Sequence, residues 1–392
     1  MRFITAGESH GPSLTAVVEG LPAGMPVDEE KLNEALARRQ RGVGRGGRML
    51  IEKDRVEVLS GVRFGKTLGS PVTLSIKNRD WENWREDMAA FGEASERKRV
   101  YCPRPGHADL SGIWKYGFED ARPVLERASA RETAARTAAG AIAAIFLEQL
   151  DMKFAAHVRN IGGVELSRDC QPSVTEICAK AYLSPVGCVD KKTADLMEAR
   201  IVGAKEAGDT LGGIIEVRGE GLVPGLGSYT QWDSRLDGRL AQAIVAIPAI
   251  KGVAFGDGFA LADVPGSQAH DALQRDAARG VIRPTNHAGG LEGGMTNGET
   301  LVLQAVMKPI PTLMNPLASI SLLDGSKAYA STERSDTCAV PAAAVVTEMM
   351  TAWVIACAVR EKFGGDYIED VVMSINNYKT RIAQGGAPWQ MM

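Results

Sequence analysis

The sequence predicts an α+β fold organised as a single domain. Three observations carry that reading. Short runs rich in β-branched residues and amphipathic helical runs follow one another irregularly, without the regular strand–helix alternation of a doubly wound sheet. The 43 glycines cluster in short loops between these runs instead of forming a low-complexity linker. At 392 residues and 45% hydrophobic content, the chain is long enough to bury one large core. No internal repeat or Pro/Ser-rich hinge divides it.

Residues 14–19, 56–59, 72–76, 214–217 and 301–306 read as strands, each short, rich in β-branched residues and bounded by turn formers. Asp28 is placed to cap a helix over 28–39, with Leu32 and Leu36 on one face. The polar stretch 77–112, carrying Trp81 and Trp84, reads as a long functional excursion and a mobile active-site loop; a second such loop is expected over 319–337. Ser129-Ala130-Arg131-Glu132 has the capping-box pattern and opens an Ala-rich helix to about residue 150. Further helices are expected over 193–207, 236–247 and 342–363, the last with Pro341 before it and Gly364-Gly365 after it. Segment 340–359 is the most apolar late stretch, yet Thr347, Glu348 and Thr351 interrupt it. It reads as a buried helix, too short in apolar length to span a bilayer.

Lys and Arg total 45 against 48 Asp and Glu, a net charge of -3. No global field would draw in nucleic acid or an anionic membrane, so neither is an expected partner. Cys102, Cys170, Cys178, Cys188, Cys338 and Cys357 form no C-x-x-C pair and have no zinc-finger spacing to histidine, so they read as reduced thiols and no metal is expected. The opening Met1-Arg2-Phe3-Ile4-Thr5-Ala6-Gly7 lacks the apolar centre of a signal peptide. The expectation is a cytoplasmic protein.

Gly42-Val43-Gly44-Arg45-Gly46-Gly47 satisfies the dinucleotide fingerprint, but it follows a helix where that motif needs a strand. Gly65-Lys66-Thr67 resembles the end of a P-loop, but Ser60 stands where the first glycine belongs. Neither motif binds a nucleotide on this reading. What remains is a density of guanidinium groups, Arg38, Arg39, Arg41, Arg45 and Arg48, whose planar forks suit phosphate or carboxylate. Arg38 and Arg41 read as a solvated helix end; Arg39, Arg45 and Arg48 are the functional candidates. The helix start at Ser129, flanked by Arg127 and Arg131, offers a second anion site, although a plain cap explains the same residues.

His10, in Gly7-Glu8-Ser9-His10-Gly11, and His107, in Arg104-Pro105-Gly106-His107-Ala108-Asp109, both sit in tight turns. Each is chemically able to transfer a proton near neutral pH, although a histidine in such a turn is more often a residue that hydrogen-bonds the backbone. His157, His270 and His287 read as structural. Arg334-Ser335-Asp336-Thr337 precedes the last long helix; Asp336 is either a base or part of an N-cap cluster.

These motifs, in this order, resemble the chorismate synthases from about residue 3 to 363. Ala249-Ile250-Lys251-Gly252-Val253, His287 through Gly294 and Lys308 through Thr312 support the match, while Ala254 departs from the family's usual glutamate. The resemblance implies a β-α-β sandwich, a homotetramer, and loss of phosphate from 5-enolpyruvylshikimate 3-phosphate with reduced FMN and no net redox. It implies that His10 donates a proton to the departing phosphate, His107 protonates the reduced flavin and Asp336 assists removal of the ring proton. Arg39, Arg45, Arg48, Arg131 and Arg334 would hold substrate, with Arg39 and Arg45 alternatively holding NADP in members that reduce their own flavin. Arg127, Ala128, Ser129, Pro248, Ala249, Gly293, Lys308, Pro309, Ile310, Pro311, Thr312 and Arg334 would contact FMN. An external flavin reductase is a partner where self-reduction is absent. The rival readings are an RNA-binding module, disfavoured by net charge, and an FMN oxidoreductase, which would need a hydride-donor site.

Overall fold

A computed structural model describes residues 1–47, 51–93, 95–276, 280–333 and 335–385. Strands β1 (Arg2–Ala6), β2 (Ser13–Glu19), β3 (Val56–Ser60) and β4 (Val72–Lys77) form an antiparallel sheet in the order β1-β2-β4-β3. Its inner face follows from strict alternation: Leu14, Ala16 and Val18 on β2, and Val72, Leu74 and Ile76 on β4, are all buried. A second antiparallel sheet contains β5 (Lys153–Ile161), β6 (Val164–Glu165), β7 (Gly213–Glu220), β8 (Ile250–Phe255) and β9 (Leu301–Met307), in the order β8-β9-β7-β5-β6.

Helices α1 (Glu29–Gln40), α2 (Thr133–Glu148), α3 (Leu236–Val245) and α4 (Val340–Phe363) fill the space between the sheets. Helix α2 packs on the first sheet, α4 on β5 and β7 of the second, and the two helices pack on each other. Their approach is close: a Cβ on Gly140 of α2 would lie 2.4 Å from the Met349 carbonyl of α4. Apolar side chains from both sheets and all four helices join in one continuous core. The architecture is the α+β sandwich expected from the sequence.

Helix α4 corrects one expectation. It is long and apolar enough to cross a bilayer by length and composition, with a mean hydropathy of 1.8, yet that apolar window is wholly buried within the protein. Its polar residues are absorbed locally: Thr347 and Thr351 donate to carbonyls one turn back, and Glu348 accepts both arms of Arg38. Arg38 is therefore not part of a solvated helix end. Its side chain is 10% exposed and stacks on the Tyr182 ring at 3.4 Å.

The Ser129 capping box is also incomplete. The Ser129 hydroxyl accepts from the Arg131 N–H, but Glu132 turns away to Thr5 and Arg136. The first turn, Ala130–Glu132, is a 3-10 turn, and the α-helix begins only at Thr133. The two rejected nucleotide motifs have structural explanations. Gly44 and Gly46 let the 42–47 loop lie against residues 335–338, with the Thr337 N–H donating to the Gly44 carbonyl at 2.7 Å, and Lys66–Thr67 is half of a two-strand hairpin with Val62–Arg63.

Candidate active site

The ends of the two sheets meet at a cleft of about 1250 Å³. From the first sheet come the β1–β2 turn, the chain leaving β4 and the start of α2. From the second come the start of β8 at Pro248–Lys251, the exit of β9 at Met307–Thr312, and the segment leading into α4. His10, His107 and Asp336, far apart in sequence, all line this one cleft.

The β1–β2 turn is held by the helix Arg122–Arg127. Ser9 N–H donates to the Glu126 carbonyl at 3.0 Å, and Arg127 donates to the Gly7 and Thr5 carbonyls at 3.0 and 3.1 Å. Asn78, at the exit of β4, donates to the Gly11 carbonyl at 2.7 Å. Within this frame, His10 Nδ1 lies 2.8 Å from Glu126 Oε1, its backbone N–H donates to Oε2 at 2.7 Å, and its ring stacks on Trp84 at 3.9 Å. Burial acts to raise the Glu126 carboxyl, but the bonds from His10 and the charge of Arg122 outweigh it and hold the group below the usual glutamate range.

His107 has an analogous partner. Its Nδ1 lies 2.5 Å from Oδ1 of the fully buried Asp109. Arg104 binds Asp109 through Nε at 2.9 Å and reaches Thr312 Oγ1 at 2.9 Å. Lys308 Nζ donates to the Gly106 carbonyl at 2.5 Å. The His107 turn is thus docked on the 308–312 segment. Burial opposes ionisation of Asp109, yet the His107 and Arg104 bonds prevail and keep it well below the usual aspartate range.

Asp336 does not cap α4. The helix cap is Ala339, with no side-chain bond. Instead Asp336 Oδ1 accepts the Gly46 N–H at 2.6 Å, and Oδ2 lies 2.6 Å from Arg45 Nη1. Arg39 and Arg131 line the cleft and share one buried carboxylate beneath it: Asp54 Oδ2 is 3.3 Å from Arg39 Nη1, and Asp54 Oδ1 is 2.5 Å from Arg131 Nη1. Arg39 also donates to Thr133 Oγ1 and the Ala130 carbonyl. Burial lowers its guanidinium to about 10, which leaves it protonated at neutral pH. Arg131 Nη2 has no hydrogen-bond partner among the described residues and stands 3.7 Å from Glu52.

Of the residues expected to contact FMN, Arg127, Ala128, Ser129, Pro248, Ala249, Lys308, Ile310, Pro311 and Thr312 line the cleft. Ala249 holds φ +68°, a conformation that costs a non-glycine residue of order 1 kcal/mol and clusters at functional sites. Pro309 is not among the lining residues, and Gly293 lies exposed in the turn between Leu291–Glu292 and Met295–Thr296, away from the lining. Arg48 and Arg334 lie outside the described residues.

Comparison with known proteins is direct at this point. The family model described as chorismate synthase matches residues 1–359. The chorismate synthase of Moorella thermoacetica is 56% identical over 379 residues, covering 97% of this chain and 98% of that protein. The chain belongs to the chorismate synthase family. The chorismate synthase of Desulforamulus reducens is 52% identical over 385 residues, covering 98% and 100% of the two chains. A solved structure titled as the crystal structure of chorismate synthase superposes with a TM-score of 0.79 at 41% identity, covering 97% of this chain and 98% of that one. Chorismate synthases are carbon–oxygen lyases that convert 5-enolpyruvylshikimate 3-phosphate to chorismate and phosphate, the last common step toward the aromatic amino acids.

Sequence reasoning missed several residues that line this cleft or hold those that do. Glu126 and Asp54 were invisible because each meets its partners across large sequence separations. Asp109, by contrast, lies two residues from His107, and that short spacing was an available signal. Lys98 and Lys251 also line the cleft, in stretches where a lone lysine carries no pattern.

Proposed function

We propose that this cleft carries out the elimination with reduced FMN bound against the wall formed by Pro248, Ala249, Ile310 and Pro311. The fit rests on the lining itself. That wall is apolar and suits a flat ring system, while Arg127, Ser129, Lys308 and Thr312 supply donors for its polar groups. Reduced FMN supplies the electron density that the departing allylic phosphate requires.

The chain's own residues hold protons and charge. His10 delivers a proton to the oxygen of the leaving phosphate. His107, held between Asp109 and Arg104, is the group that protonates the reduced flavin. Asp336 assists removal of the substrate ring proton: Arg45 and Gly46 engage one lone pair on each oxygen, leaving the others for an acceptor role. Phosphate departure develops negative charge, which preplaced cations stabilise; Arg45, Arg131 and Lys308 serve here. The single observation that carries the proposal is the convergence of His10–Glu126, His107–Asp109 and Asp336–Arg45 on one cleft.

Because Arg39 is engaged by Asp54, Thr133 and the Ala130 carbonyl, we favour supply of reduced flavin by a separate reductase over NADPH binding at Arg39 and Arg45. The expected assembly is a homotetramer; Ile4 and Val17, exposed on the outer side of the first sheet, support an apolar contact there. The continuous core supports a single domain, and the free cysteines support a reducing, cytoplasmic setting.

The test is anaerobic turnover of 5-enolpyruvylshikimate 3-phosphate with photoreduced FMN. Chorismate and phosphate are expected in equal amounts, with the flavin still reduced at the end and no product from oxidised FMN plus NADPH. Flavin oxidised in proportion to product would overturn the proposal.

A further inference from the structure

We infer that Glu126 is a positioning residue for His10: it selects which ring nitrogen of His10 carries its proton and orients the ring. The inference rests on the reading of His10 as the proton donor.

The geometry is specific. Glu126 is 1% exposed and does not line the cleft, so it acts only through what it touches. Both its oxygens face the His10 residue: Oε1 lies 2.8 Å from Nδ1, and Oε2 accepts the backbone N–H at 2.7 Å. Its backbone carbonyl holds Ser9 N–H at 3.0 Å. One residue therefore fixes the turn's main chain and its imidazole together. An ionised carboxylate can only accept a hydrogen bond, so Nδ1 must carry the proton. Nε2 is then the nitrogen that Glu126 does not hold. Trp84, stacked at 3.9 Å with an interplanar angle of 22°, fixes the ring plane.

Charged side chains hold the carboxylate, the indole and the turn around this contact. Arg122 Nη1 also reaches Glu126 Oε1 at 3.2 Å, and its Nη2 reaches Glu333 at 2.9 Å. Lys98 lies 4.7 Å from the Trp84 ring centroid and Arg122 lies 5.2 Å from it. Arg127 holds the Gly7 carbonyl. Among these, Glu126 is the anion in contact with the ring, while the cations meet the carboxylate, the indole or the backbone. Removing the Glu126 carboxylate takes away the acceptor that holds Nδ1. At His107 the buried Asp109 carboxylate likewise meets Nδ1, but there the Arg104 guanidinium also lies 3.0 and 3.3 Å from the two ring nitrogens.

The experiment compares the full-length wild type with Glu126→Gln, Glu126→Asp and His10→Ala by single-turnover phosphate release across pH, and follows the ring nitrogens of His10 by NMR in histidine-labelled protein. In the wild type, neutral His10 is expected to carry its proton on Nδ1. Glu126→Gln, whose side-chain amide can present either a donor or an acceptor to Nδ1, is expected to lower the rate roughly 10- to 100-fold and to release neutral His10 from the single Nδ1-protonated tautomer, with substrate KM little changed. Glu126→Asp, which keeps the carboxylate, should keep that tautomer and restore the rate in part. A wild-type His10 protonated on Nε2 in its neutral form overturns the inference even if no Glu126 variant folds. So does a folded Glu126→Gln enzyme with the wild-type His10 tautomer and full rate. If His10→Ala turns over like the wild type, it is the underlying assignment of His10 that fails, a result separable from the other two.

Discussion

Asp336 shows how one carboxylate is read in two ways from sequence and in one from structure. As a cap it would bond to the backbone of α4; it bonds instead to Gly46 and Arg45. Asp336→Asn keeps the shape and removes the basic group, so single-turnover rate should fall roughly 10²-fold or more while substrate and FMN affinity hold. An unchanged rate would remove Asp336 from the chemistry. Arg39 makes the opposite case. It was read as a substrate ligand, yet it is buried against Asp54, Thr133 and Ala130. Removing one member of a buried pair typically costs about 3–5 kcal/mol, so Arg39→Ala should lower the thermal midpoint markedly, as a melt will show; a purely binding role would instead raise KM with no shift in the melt. The catalytic candidates were legible because each lies in a short contiguous motif. Their partners were not: Glu126 is 116 positions from His10, and Asp54 is 77 from Arg131.

At the scale of elements, the five strands marked by β-branched runs are all present, slightly longer at their ends. Four other strands of the two sheets were not expected, one of them, β6, only two residues long. Strand β5 carries His157, Arg159 and Asn160 among its apolar residues, and these polar groups hid it; they are accommodated because Glu216 on β7 lies 3.2 and 3.3 Å from His157 and Arg159. Strand β8 is obscured by Gly252, where its register shifts against β9. Strand β1 alternates only weakly in burial. The 42–47 loop had a recognisable pattern whose physical reason lay elsewhere: its glycines permit contact with the segment bearing Asp336. A Cβ on Gly46 would stand 2.8 Å from the Ser335 carbonyl, whereas on Gly47 it would meet nothing within 4 Å among the described residues. Gly46→Ala should therefore depress turnover at least about 10-fold by displacing Asp336, and Gly47→Ala should not; equal rates in the two variants would break the link between this loop and catalysis.

For the whole molecule, the sandwich matters because it brings the ends of two independent sheets to one place, with α2 and α4 fixing their separation. Segment patterns disclosed the classes of element but not this convergence, which depends on pairing between distant strands. The same burial has a consequence for acid stability. Glu126 and Asp109 are held below their ordinary ranges, and Glu216 is held at about 2 by the balance of burial against His157, Arg218 and Arg159. Groups depressed in the folded state contribute stability above their unfolded values, and that contribution is lost as pH falls through the folded ones. Denaturant midpoints should therefore hold near neutrality and decline as pH drops below about 4; midpoints flat from pH 5 to 2 would contradict this. The most direct test of the central claim, that this cleft performs the elimination by proton transfer from turn-held histidines, is single-turnover phosphate release by His10→Ala and His107→Ala with melts recorded alongside. The prediction is a fall of roughly 10²- to 10⁴-fold in each with an intact melt, and near wild-type release from either folded variant would contradict it.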